Sequence, residues 1–135
     1  MDKLKKLGPE KLWENEIKHE LKKRGAWWIK YWGGGVYTRK GVPDLLVCYK
    51  GRFIAIEVKS DTGEISDAQR SEMAKIEEFG GIGVFSRPNN KNALWSVFDA
   101  LDAKLEPPRH TEVAKLPKTK KKKGESLPSP NNELF

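Results

Sequence analysis

The chain has 135 residues, 37% of them apolar, and 26 lysines and arginines against 19 aspartates and glutamates, a net charge of +7. With one cysteine it can form no intramolecular disulfide, and Cys48 with only two histidines cannot supply the usual four-ligand zinc set. The N-terminus has no apolar h-region and nowhere do about 18 apolar residues run together, so a soluble, cytoplasmic protein of one domain, without a membrane span, is expected.

The first element reads as a helix from about Pro9 to Arg24, with proline suited to its first turn and Gly25 to a left-handed stop. Its apolar stripe carries Trp13, Ile17 and Leu21. At about 100° per residue, Glu14 and Glu20 sit at the edge of that stripe, whereas Glu16 points to solvent. Residues 26–32 are aromatic and β-branched enough for a strand, which Gly33-Gly34-Gly35 ends. That glycine run is either a loop that lets a nucleic-acid backbone approach or a plain connector. No Lys-Ser/Thr follows it at phosphate-loop spacing, so no nucleotide cofactor is expected.

Asp44 to Tyr49 and Arg52 to Lys59 read as two strands joined by Lys50-Gly51, a pairing of residues suited to a tight hairpin. In that register Tyr49 faces Arg52, Val47 faces Ile54 and Asp44 faces Glu57, with Lys59 on the same side as Glu57. The second strand is apolar on both faces apart from Glu57, as in a central strand covered on both sides, and Cys48 is expected in the core. Ser66-Asp67-Ala68-Gln69 has capping-box form and opens a second helix, Asp67 to Phe79, that Gly80-Gly81 stops. Ile82 to Phe85 reads as another buried strand. Asn89 or Asn90 can cap a third helix running to Leu105. Residues 106–135, with five prolines and the Lys120 to Lys123 run, read as a disordered basic tail, which either adds non-specific DNA affinity or is inert.

Charge is unevenly spread: residues 1–59 carry +7, residues 60–105 carry −3 and residues 106–135 carry +3. A basic N-terminal region that also holds Trp27, Trp28, Tyr31, Trp32 and Tyr37 suits a nucleic acid, because ammonium and guanidinium groups neutralise phosphates while aromatic faces stack on bases. The alternative is that Lys18, Lys22, Lys23 and Arg24 only solvate a helix face. Two opposed carboxylates on neighbouring strands repel. A divalent cation offsets that cost, since Mg²⁺ takes hard oxygen ligands and commonly one or two carboxylates; an ion pair with Lys59 or a raised carboxyl pKa would do so too. Acids and a lysine on one face suit phosphodiester hydrolysis rather than Ser/His or Cys/His chemistry.

Pro43-Asp44 followed by Glu57-Val58-Lys59 resembles the PD-(D/E)xK nuclease signature. Its context is more specific: Glu14-Asn15-Glu16-Ile17 on the first helix, Gly41-Val42-Pro43-Asp44-Leu45-Leu46, Phe53 to Lys59, Thr62-Gly63 and Ser66 to Gln69 together resemble the VRR-NUC domain in its short phage and bacterial form, over about residues 9 to 87. The resemblance implies an α/β, restriction-endonuclease-like core (helix, three strands, helix, strand) in residues 1–105. It implies Mg²⁺- or Mn²⁺-dependent DNA cleavage, with Asp44, Glu57 and the main-chain carbonyl of Val58 as metal ligands and Lys59 as the catalytic lysine. Glu14 matches the first-helix acid and Gln69 the site glutamine, unless Gln69 serves the capping box alone. Stand-alone members resemble homodimeric resolvases of four-way (Holliday) junctions. The alternatives are a nuclease of the same fold acting on flaps, ends or duplex, and a DNA-structure-binding protein without catalysis. Lys30, Arg39, Lys40 and Arg52 are the candidate DNA contacts, on charge and on position beside the site.

Overall fold

A computed structural model describes residues 6–114. Helix α1 (Pro9–Arg24) starts and stops where Pro9 and Gly25 require, Gly25 taking the left-handed conformation with φ of 75°. Strand β1 (Trp27–Lys30) follows, then a long loop, then β2 (Leu45–Tyr49) and β3 (Arg52–Val58). Lys50 and Gly51 both have positive φ, 50° and 76°, the conformation of a two-residue turn whose twist matches the strands it joins. Helix α2 (Asp67–Glu78) crosses over to β4 (Ile82–Ser86), a 3-10 turn at Pro88–Asn90 leads into α3 (Lys91–Asp102), and a short α4 spans Thr111–Ala114. This is the element order expected for the core.

The sheet order is β1-β2-β3-β4, antiparallel except for the parallel β3–β4 pair that α2 connects. Tyr49 pairs with Arg52, Val47 with Ile54 and Leu45 with Ile56, the register set by the turn, so Asp44 and Glu57 are the next residues beyond the last pair. One sheet face carries Leu45, Val47, Ile54, Ile56, Val58 and Val84, and it packs on Trp13, Ile17 and Leu21 of α1 and on Leu94, Val97 and Phe98 of α3. Fully burying each such side chain contributes roughly 1.5–3 kcal/mol, so this layer holds α1 against the sheet. The Trp13 indole N–H also donates to Ser86 Oγ at 2.9 Å, tying α1 to the end of β4. The other face is covered by α2 and α4 over Ala55 and Phe85, with Met73 and Val113 completing a smaller cluster.

Four expectations are corrected. Cys48 is exposed, not core, because α2 packs over β3 and β4 and leaves the β1–β2 side of that face open, where Trp27 and Ile29 are exposed as well. Strand β1 is shorter than residues 26–32 at both ends. Helix α3 stops at Asp102, leaving Leu105 65% exposed, and Asn90 precedes it without a side-chain capping bond, the 3-10 turn having already started the chain's curl. Residues beyond 105 also join the fold: Glu106 accepts from Arg52, Glu112 accepts from Arg87, and Val113 is 1% exposed. The Lys120 to Lys123 run lies outside the described residues. No helix among the described residues is long and apolar enough to cross a membrane.

Candidate active site

Asp44 sits just before β2, where its carbonyl accepts from the Tyr31 N–H at 2.8 Å and its Oδ2 accepts from the Val58 N–H at 2.9 Å. Its side chain is thus fixed by the strand that carries Glu57. Glu57 is 5% exposed, and its Oε2 accepts from Gln69 Nε2 at 3.1 Å. Lys59 Nζ stands 4.0 Å from the same oxygen. Burial pushes the Glu57 carboxyl up to about 8, and the neighbouring Asp44 charge adds to this while Lys59 opposes it.

Gln69 makes two sets of contacts. Its backbone N–H donates to Ser66 Oγ and its Oε1 accepts from the Ser66 N–H, closing the capping box, while its Nε2 remains free to reach Glu57. The start of α2 is held close by Gly41, whose φ is +82° and where an added Cβ would lie 2.3 Å from the Ala68 carbonyl oxygen. Asp44, Glu57 and Gln69 line a cleft of about 460 Å³ together with Tyr31, Lys40 and the Gly33–Gly35 run. The glycine run therefore walls the site; Thr38 braces it by accepting from the Gly34 N–H and donating to the Gly35 carbonyl.

Glu14 does not join these acids. It is 4% exposed on α1, on the opposite side of the sheet from Glu57, and its carboxylate takes hydrogen bonds from Lys11, Lys18 and Lys30 instead. Burial alone would raise its carboxyl, but the three lysines outweigh that and bring it down to about 2. Among the described residues no three side chains of histidine, cysteine, aspartate or glutamate converge. The donor set available is therefore two carboxylates and main-chain oxygen, hard ligands that fit Mg²⁺ or Mn²⁺ and leave positions for water and phosphate oxygens.

Among the four basic candidates, Arg39 and Lys40 line the cleft, Arg39 also pairing with Glu72, and Lys30 turns to Glu14. Arg52 is misplaced by the sequence reading: five residues from Glu57 along an extended strand is about 16 Å, so it lies at the far end of the sheet, paired with Glu106. Arg87 carries no sequence signal, yet it donates to the carbonyls of Ser60 and Gly63 at 2.7 and 2.8 Å and pairs with Glu112. It clamps the turn that follows Lys59.

Residues 10–85, more than half of the chain, match the VRR-NUC domain. The chain belongs to the VRR-NUC family. By family it is a nuclease, and Asp44, Glu57 and Lys59, the residues that resemble the PD-(D/E)xK signature, lie near one another at the strand ends. No curated protein sequence matches this VRR-NUC chain. Among solved structures, that of Hjc, a Holliday junction resolvase from the archaeal hyperthermophile Archaeoglobus fulgidus, is similar at 24% identity and a TM-score of 0.45, covering 58% of this chain and 69% of that one.

Proposed function

We propose that this VRR-NUC protein is a metal-dependent endonuclease that hydrolyses phosphodiester bonds in branched DNA, with the four-way junction as its substrate and a homodimer as its working form. The observation that carries the chemistry is the pair of carboxylates, Asp44 and Glu57, brought together at the ends of β2 and β3 beside the Gln69 amide and the Lys59 ammonium. A protein that only bound DNA would have no use for holding like charges together in a buried place, where they cost stability. The junction and the dimer come from the form of the family that the short chain resembles.

Asp44, Glu57 and the Val58 carbonyl would hold Mg²⁺ or Mn²⁺, which supplies Lewis acidity toward a phosphoryl oxygen and lowers the pKa of water. The chain's own groups do the rest. Val58 N–H and Gln69 Nε2 each fix one carboxylate oxygen, so the two acids present their remaining lone pairs in a set orientation. Lys59, close to Glu57 but not tightly bound to it at 4.0 Å, can donate to the attacking water or to a phosphoryl oxygen as negative charge grows there. The exposed Lys40 and Arg39 on the cleft wall would hold the strand's phosphates.

The test is a panel of labelled substrates (four-way junction, flap, linear duplex and single strand) incubated with purified protein in Mg²⁺, in Mn²⁺ and in EDTA. Symmetric nicking of the junction in metal and none in EDTA is expected. Preference for flap or duplex would replace the substrate, and binding without cleavage in either metal would replace the activity.

A further inference from the structure

Five aromatic side chains lie between residues 27 and 37, and the fold gives them different surroundings. Trp28 packs against the core, and Trp27 sits on the open sheet face, paired with Cys48 towards the hairpin end of β2. Tyr31 is half-buried in the cleft wall. The Trp32 ring already has the Lys30 ammonium over it, 5.1 Å from its centre. Tyr37 alone of the five is 100% exposed, with both ring faces free, and Val36 beside it is 94% exposed.

These two residues form the tip of a tight turn. The Gly35 carbonyl accepts from the Thr38 N–H at 3.0 Å, and the Thr38 hydroxyl donates to the same carbonyl at 2.6 Å while accepting from the Gly34 N–H at 3.1 Å. Three hydrogen bonds thus fix a tip whose side chains cover almost nothing, at the central turn positions that asparagine, aspartate, glycine or proline suit better. A valine and a tyrosine there expose apolar surface and add nothing to the core. Their place in the molecule indicates what covers them. Val36 lines the same cleft as Asp44, Glu57 and Gln69, and so do Arg39 and Lys40, which follow Thr38 directly. Cations and a bare aromatic face within four residues suit a nucleic-acid strand, which presents phosphates to the one and a base to the other.

From this placement we infer that Tyr37 is a stacking site for a nucleobase left bare at the branch point of the DNA, and that the Val36-Tyr37 tip selects branched over continuous DNA. The inference rests on the nuclease reading of the same cleft. Inside an intact duplex both faces of every base are covered by its neighbours, so Tyr37 finds no face to stack on unless a base step is opened at a cost. A branch point ends a stack and leaves a face free. The turn is already braced by Thr38, so little ordering is lost when a base meets the ring. Tyr37 touches the substrate away from the reacting atoms and governs which DNA enters the cleft, not the hydrolysis.

The experiment is equilibrium binding by fluorescence anisotropy in EDTA, at one salt concentration, of a labelled four-way junction, a labelled forked duplex and a labelled linear duplex. Tyr37→Ala is expected to weaken binding of the two branched DNAs by about 10-fold and of the linear duplex by less than about 2-fold, and Tyr37→Phe, which keeps the ring, to bind as wild type does. The contact is then removed from the other side, by replacing each nucleotide beside the branch point in turn with an abasic residue. At one of these positions the loss of the base should weaken wild type by about as much as Tyr37→Ala does and should leave Tyr37→Ala unchanged. Equal effects of Tyr37→Ala on branched and linear DNA, or abasic losses of the same size in wild type and variant at every position, overturn the inference. So does a Tyr37→Ala protein that binds all three DNAs as wild type does but sediments as a different oligomer, since the tip would then be a protein contact. In each of these cases the nuclease reading stands if wild type cuts the junction in Mg²⁺. A wild type that binds none of the DNAs overturns both.

Discussion

In the metal-free protein Glu57 makes stability depend on pH in an unusual direction. Its carboxyl, pushed up from 4.5 to about 8 by burial and by Asp44, binds a proton in the folded chain across a range where the unfolded chain has released it. The group's contribution is therefore fully present below its unfolded value and is lost as pH rises through the folded one. Between pH 6 and pH 9 this single group should remove about 2–3 kcal/mol of stability. Glu57→Gln abolishes the titration while keeping a side-chain carbonyl to accept from Gln69. Urea unfolding of both proteins in EDTA at constant ionic strength, from pH 6 to 9, isolates the effect, because every other titrating group is common to the two. Relative to wild type, the variant should gain stability steadily as pH rises. Adding Mg²⁺ should restore the wild type at pH 9, since the cation takes the ionised acid, and should leave Glu57→Gln nearly unchanged. A difference between the two proteins that stays constant with pH would refute the burial and Asp44 proximity from which the magnitude comes.

Lys59→Ala should lower junction cleavage in Mg²⁺ by about 10²-fold or more while leaving junction affinity in EDTA nearly intact; equal loss of both would point to misfolding instead. Asp44→Asn keeps an oxygen for the Val58 N–H but removes the repulsion with an ionised Glu57, so thermal unfolding in EDTA at pH 9, above the Glu57 value, should show a gain of up to about 1 kcal/mol, and a clear loss at that pH would contradict the opposed pair. Gly41→Ala places a Cβ 2.3 Å from the Ala68 oxygen at a φ of +82°, and should cost about 1–3 kcal/mol in urea unfolding and weaken Mg²⁺ binding as α2 carries Gln69 away from Glu57. Unaltered stability there would show that α2 does not rest on that glycine.

Several features of the site were legible before any tertiary contact was known. Lys50-Gly51 specified a turn, the turn specified the register, and the register brought Asp44 and Glu57 to one end of neighbouring strands. The Ser66 to Gln69 pattern announced a capping box, though not that the same glutamine has an amide left over for Glu57. Alternation along β2 told which residues share a face with Cys48 but not whether a helix covers that face, and α2 does not reach it. Arg52 shared charge and a strand with Glu57, and its distance came only from the strand being extended.

The sequence by itself determined the helix and strand limits near Pro9, Gly25 and Gly51, the apolar stripe of α1, and the acids and lysine that meet at the strand ends. All of these follow from local backbone preferences and from side-chain periods of 3.6 and 2. Tertiary structure decided which charge each acid keeps company with. Lys30 reaches Glu14 across the gap between β1 and α1, and Arg87 closes on Ser60 and Gly63 from the end of β4. Those partners lie 16 to 27 residues apart, and packing of helices on a sheet, which no local period encodes, brings them together. The protein's +7 thus acquired a place: part of it is gathered around one buried acid on α1.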